Sequence, residues 1–328
     1  MSSDTQTSRR DLFKLAAVAG AAGLLPGVGL AAAAQPPPAK ERKRVLRVAH
    51  LTDIHVQPEL RAGEGMAACL RHVEAQKEKP DLILTGGDMI MDAFEHDEAR
   101  TKLQWDLFHK VLKDNTSIPV EHCIGNHDIW GWNKAKSKTA GSEARWGKAW
   151  ALEAFGIEKR YRSFEKAGWK FLVLDSVQPN GDGYTAHLDA EQLAWFESEL
   201  KANAGGKPTL VLSHIPILSI GMLANAETKP GTDHKISGGL NFTDAAKIKT
   251  LFHKHGGVKV CLSGHLHLVD RVDYLGVTYL CNGAVSGAWW KGKNREFSEG
   301  YAIVDLFDDG SFENQYVEYG WKAMKGSA

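Results

Sequence analysis

The chain has 328 residues and 43% hydrophobic content, enough for one sizeable core or two small ones. Lys+Arg and Asp+Glu are both 40, so no basic excess points to a polyanion, and no nucleic-acid partner is expected. Recognition of a charged ligand therefore has to be local.

The first element in chain order is an address. Ser8-Arg9-Arg10-Asp11-Leu12-Phe13-Lys14 precedes a mildly apolar run, LAAVAGAAGLLPGVGL, and the small residues Ala31–Ala34 that suit A-x-A cleavage. Residues 1–34 resemble a bacterial Tat-type export signal, which implies the Tat export machinery as a partner and a periplasmic or otherwise extracytoplasmic location. As a membrane span the run is weak, being mostly Ala and Gly and broken by Pro26, so no stable span is expected after processing. Residues 35–44, with Pro36-Pro37-Pro38 and a charged KERKR run, read as a linker.

From Val45 to the end, one domain is expected. VLRVAHL, DLILTGG, IPVEHCIG, KFLVLD, TLVLSH and VKVCLSG read as strands, and residues 64–78, 99–113, 189–202 and 243–255 as helices. The tail VDRVDYL, VTYLCNG, YAIVDLF and SFENQYVEY is purely β. The alternation predicts a layered α/β fold with mixed sheets. Cys69, Cys123, Cys261 and Cys281 lack CxxC spacing and read best as buried small hydrophobes, although a disulfide between two of them fits an oxidising compartment.

Polar residues cluster just past the predicted strands: Asp53 and His55, Asp88, Asn126, His214, and His265 with His267. In an α/β sheet the carboxyl ends of strands form one ligand-binding edge, so residues far apart in sequence can converge there. Asp, Asn and His supply the hard and borderline donors that two neighbouring metal ions need, with a carboxylate to bridge them. Asp53-x-His55 and His265-x-His267 are expected on extended backbone, where alternate residues share a face. Gly86-Gly87, Gly125 and Gly264 precede ligands and are expected to let the chain turn tightly.

Asp53-Ile54-His55, Gly87-Asp88, Gly125-Asn126-His127-Asp128, His214 and Gly264-His265-Leu266-His267 stand in the order of the five blocks of the calcineurin-like metallophosphoesterases. The chain resembles that family over residues 45–283. The resemblance implies a four-layer α/β/β/α sandwich of two mixed β-sheets flanked by helices. It also implies two metal ions (Fe, Mn or Zn), one held by Asp53, His55, Asp88 and His267 and the other by Asp88, Asn126, His214 and His265. Asp88 would bridge them, and a metal-bound hydroxide would attack a phosphate ester. His127 is cast as general acid or charged donor to the phosphate, and Asp128 as the carboxylate that orients it.

The stretch Gly87–Asp92 and the run before Gly125 lack the arginines of the Ser/Thr protein phosphatases, and Met91 stands where purple acid phosphatases carry a ligand tyrosine. The pattern is more similar to the cyclic-nucleotide-phosphodiesterase-like branch. A small-molecule phosphodiester is the expected substrate, with a phosphomonoesterase or a non-catalytic metal- or phosphate-binding protein as alternatives. Loops 129–150, with Trp130, Trp132, Trp146 and Trp150, and 216–240 are candidates for a substrate lid, and Trp289-Trp290 for an aromatic wall.

Overall fold

A computed structural model describes residues 41–224 and 235–324; the expected signal 1–34 lies outside them, as does most of the linker. In chain order the elements are β1 (Arg44–Leu51), α1 (Ala62–Glu74), β2 (Leu82–Thr85), α2 (Glu98–Asn115), β3 (Val120–His122) and α3 (Ala149–Phe155). Then come β4 (Arg162–Lys166), β5 (Trp169–Val173), the hairpin β6 (Val177–Asn180) and β7 (Gly183–Ala186), α4 (Ala190–Ala202), β8 (Thr209–Leu212) and α5 (Ala245–His255). The chain closes with β9 (Val258–Ser263), β10 (Val269–Tyr274), β11 (Val277–Asn282), β12 (Gly300–Phe307) and β13 (Phe312–Glu318).

Two mixed sheets result, ordered β13-β12-β1-β2-β3 and β10-β11-β9-β8-β5-β4. β1, β2 and β3 run parallel in the first, and β5, β8, β9 and β11 in the second. The alternation along β1 explains the layering. Leu46 and Val48 join Phe171, Leu210, Val260 and Leu262 in a core between the sheets, whereas Ala49 and Leu51 face the other way. Helices cover the outer faces: His72 of α1 meets the Tyr301 hydroxyl of β12 at 2.9 Å, and Phe252 of α5 packs on Phe196 of α4 and on Tyr279 of β11. This is the expected mixed α/β architecture of two sheets flanked by helices.

Helix starts follow local chemistry. Asp97 and Asp189 each accept a backbone N–H three residues on, from Arg100 at 3.1 Å and Gln192 at 2.9 Å, capping α2 and α4. At the N-terminal edge the linker is shorter than expected: Arg42 pairs with Glu313, and the Lys43 N–H donates to Asp308 at 2.9 Å, so residues 42–44 already belong to the fold. All four cysteines are free and buried. No helix among the described residues is long and apolar enough to cross a membrane.

The carboxyl ends of β1, β2 and β3 in one sheet and of β8 and β9 in the other lead directly into the segments that carry the polar cluster. Both sheets thus deliver their functional loops to a single seam.

Candidate metal centre

The seven expected ligands converge. Asp53, His55 and His267 form one group whose donor atoms lie within 4.8 Å of one another, and Asp88, His214 and His265 a second. Asn126 Oδ1 stands 3.0 Å from His214 Nε2. Asp88 Oδ2 lies between the groups, 3.2 Å from His214 Nε2 and 3.6 Å from His55 Nε2. All but His265 are nearly inaccessible.

Convergence is achieved differently from expectation. Asp53, His55, Asp88, His265 and His267 all have φ between 47° and 68°, in the left-handed region. The D-x-H and H-x-H pairs are therefore alternating kinks, not extended strands whose faces alternate. Each such non-glycine residue costs about 1 kcal/mol or more, and strain of this kind persists where surrounding structure and function hold it. Gly125 and Gly264 have no positive φ, and what they supply is room. A Cβ on Gly125 would sit 2.1 Å from Asp88 Oδ1, and one on Gly264 1.9 Å from Thr52 Oγ1 and 2.2 Å from Asp53 Oδ2. Those side chains are buried and cannot swing aside. Gly264→Ala is expected to weaken metal affinity and activity about 10- to 100-fold by shifting Asp53; a metal titration of the variant checks this.

Hydrogen bonds behind the imidazoles show what the cluster is built to hold. His214 Nδ1 is 2.8 Å from the carbonyl of Gly86, and His267 Nδ1 bonds the carbonyl of Gly287. A carbonyl only accepts, so each Nδ1 carries a proton and, in the neutral imidazole that a metal requires, each Nε2 presents a lone pair. Those lone pairs face further acceptors: Asp88 Oδ2 and Asn126 Oδ1 for His214, and Asp53 Oδ1 at 3.3 Å for His267. His55 and His267 even point Nε2 atoms at each other across 3.1 Å. Acceptors facing acceptors in a buried site repel unless cations lie between them, and a ligand imidazole anchored by a carbonyl is the usual outer support of a metal site. The residues present therefore fit metal ions.

The electrostatics agree. Burial alone would lower His214, but the Asp88 carboxylate outweighs it and raises the imidazole to about 9, so that a proton takes the cation's part. Burial would raise Asp53, yet His267 and His214 bring it down to about 2. His55 and His265, desolvated and less directly paired, are pushed down to about 3.

His127 sits at the rim with a side chain 30% exposed. Its N–H donates to Asp88 Oδ1 at 2.8 Å, and its Nδ1 lies 3.1 Å from Asp92 Oδ1. Asp88 and Asp92 outweigh desolvation and raise its imidazole to about 9. Asp92, not Asp128, is thus the carboxylate that orients His127. Asp128 turns inward and accepts the backbone N–H groups of Gly125 and Asp88 at 2.9 Å and Met89 at 2.8 Å, tying together the loops that carry Asn126 and Asp88. Neighbouring residues of a turn project in different directions, and only one of the pair can face the rim. Asp92, four residues after Asp88 on the same loop, was the signal in the sequence.

Two aromatic residues flank the cluster. Trp289, 39% exposed, packs 4.5 Å from the His267 ring and 6.0 Å from His55. It is held by its fully buried neighbour Trp290, whose Nε1 donates to the His55 carbonyl at 2.9 Å. The Trp pair therefore divides into one wall and one anchor, both at positive φ. Tyr184, on the hairpin β6–β7 that the sequence reading missed, stands 6.1 Å from His265. Its two-residue Gly181-Asp182 turn, closed by the pair Asn180 and Gly183, is a hairpin signal in the sequence. The lid candidates fare differently. Trp130, Trp132 and Trp150 are buried and pack loop 129–150 onto the domain; residues 225–234 of loop 216–240 lie outside the described residues.

Comparison with known proteins places this geometry. A sequence model of the calcineurin-like phosphoesterases matches residues 46–269. A 3′,5′-cyclic-nucleotide phosphodiesterase of Nostoc sp. is 24% identical over 285 residues, which cover 82% of this chain and 91% of that protein. A manganese-dependent ADP-ribose/CDP-alcohol diphosphatase of Arabidopsis thaliana is 24% identical over 221 residues, 56% of this chain and 64% of that protein. A dimetal phosphatase from Danio rerio shares the fold with a TM-score of 0.55 at 13% identity, covering 85% of this chain and 100% of that one.

Proposed function

Because the chain belongs to the calcineurin-like phosphoesterase family, matched over residues 46–269, we propose that it hydrolyses a phosphodiester at a two-metal centre formed by Asp53, His55, Asp88, Asn126, His214, His265 and His267. The observation that carries this reading is the set of carbonyl-anchored imidazoles whose lone pairs converge on carboxylates. Asp53, His55, His267 and Asp88 would hold one ion, and Asp88, Asn126, His214 and His265 the other. When bound, two such ions neutralise phosphoryl oxygens and lower the pKa of water.

The chain's own residues do the rest. Asp88 fixes the separation of the two ligand groups. Water oxygen bonds to phosphorus and loses a proton to solvent, the P–O bond to the alcohol breaks with its electron pair on the alcohol oxygen, and His127 gives that oxygen a proton. Asp92 on Nδ1 leaves Nε2 of His127 for this task. Trp289 at one ligand group and Tyr184 at the other can each cover one substituent of a diester.

A monoester dianion carries an extra charge, and among the described residues no lysine or arginine lines the cavity next to His127, whereas Asp92, Glu95 and Asp182 do. The cyclic-nucleotide phosphodiesterase relative supports the same choice. With identical metal loading, bis(4-nitrophenyl) phosphate is expected to exceed 4-nitrophenyl phosphate in kcat/KM by at least about tenfold, and a monoester preference overturns the choice. The twin-arginine N-terminus supports export to the periplasm in the folded, metal-loaded state, which deletion of residues 1–34 followed by fractionation tests.

A further inference from the structure

Beside His127 opens a cavity of about 500 Å³, within the range of small-molecule sites. Asn126 and His127 line it on the side of the ligand cluster, and Phe94 and Tyr184 form its aromatic wall. The two rings meet edge to face at 5.9 Å, and Phe94 is backed in turn by Trp132 at 6.0 Å, so the wall is braced from the buried side.

Resting on the phosphodiesterase reading, we propose that this cavity receives the departing alcohol and selects an uncharged or cationic alcohol bearing a flat ring, such as a nucleoside, against one that carries a further phosphate.

Position comes first. The alcohol must leave toward the residue that protonates it, and His127 is a lining residue of this cavity. Shape comes next: an aromatic wall next to a phosphate site binds a planar group by stacking, irrespective of its hydrogen-bonding edge. Charge gives the selectivity. Three carboxylates line the cavity, and among the described residues no lysine or arginine does, His127 being held by Asp92. Asp92 is engaged with His127, and Glu95 is shared by Lys136 at 2.7 Å and Asn133 at 3.2 Å. Asp182, exposed at the tip of the β6–β7 hairpin, lines the cavity and has no ion pair among the described residues. A second phosphate on the leaving group would meet these carboxylates with no lysine or arginine among the described lining residues to offset them. The chain should therefore share the phosphodiesterase behaviour of its Nostoc relative and lack the diphosphatase behaviour of its Arabidopsis relative.

The test uses the metal-reconstituted chain with adenosine 3′,5′-cyclic monophosphate, bis(4-nitrophenyl) phosphate and ADP-ribose, and calorimetric binding of adenosine as a second readout. Wild type is expected to favour both diesters over ADP-ribose by at least about tenfold in kcat/KM. Asp182→Lys should shift that ratio toward ADP-ribose about tenfold. Tyr184→Ala should lower kcat/KM for bis(4-nitrophenyl) phosphate about tenfold and abolish adenosine binding, with Tyr184→Phe restoring both. Diester hydrolysis with ratios unmoved in Asp182→Lys and Tyr184→Ala overturns the cavity assignment alone. Adenosine binding that depends on Tyr184 without hydrolysis of any ester overturns the phosphodiesterase reading and keeps the ring-binding site. Absence of both overturns the two together.

Discussion

Asp88→Asn is expected to lower kcat on the best diester by at least about 10³-fold, which corresponds to about 4 kcal/mol of lost transition-state stabilisation. Among the described residues Asp88 reaches both ligand groups, through Oδ2 to His214 and His55, and its Oδ1 holds the His127 N–H. An amide of the same shape keeps the packing but removes the charge that would bind both cations. The variant should fold normally by circular dichroism and lose the rise in Tm that metal gives the wild type, because ligand binding stabilises only the state that binds. Activity within tenfold of wild type would remove Asp88 from the bridging role.

His127→Gln should separate leaving groups. With an alkyl or nucleoside alcohol, whose oxygen needs a proton to depart, kcat is expected to fall by about 10² to 10³, the usual worth of a placed general acid. With 4-nitrophenol, whose anion is stable, the loss should be less than about tenfold. Asp92→Asn should show the same pattern more weakly, since it acts through the orientation of His127. Asp128→Asn should show a different one: its carboxylate ties two ligand loops together, so metal affinity should fall and leaving-group dependence should not change. Equal losses across leaving groups in His127→Gln would place His127 among the groups that bind phosphate.

What the sequence made legible follows from how each element is stabilised. β1, β2, β5, β8 and β9 are buried on one or both faces and read as continuous apolar runs, so they were predicted without difficulty. β4, RSFEK, is a polar edge strand held by its neighbour β5, and β6–β7 contains Pro179 and two glycines, so neither carries a period that outweighs its turn residues. α3 begins at the end of the stretch read as loop up to residue 150 and runs on to Phe155, unread because a seven-residue helix is too short to show its face.

In the site, ligand identities were legible because coordination chemistry restricts residue types and strand ends restrict places. Side-chain direction was not. The left-handed backbone at five ligands, the inward turn of Asp128 and the assignment of Asp92 to His127 all depend on local φ, which composition does not encode. Trp289 and Trp290 make the same point: adjacent identical residues, one a wall at the mouth and the other a plug whose ring fills the space over Gly65.

Diffraction from crystals of the metal-loaded protein, recorded at the absorption edge of the bound metal, tests the central claim most directly. Two anomalous peaks are predicted, one among Asp53, His55 and His267 and one among Asn126, His214 and His265, with the Asp88 carboxylate between them. A single peak, or peaks away from these side chains, would contradict it.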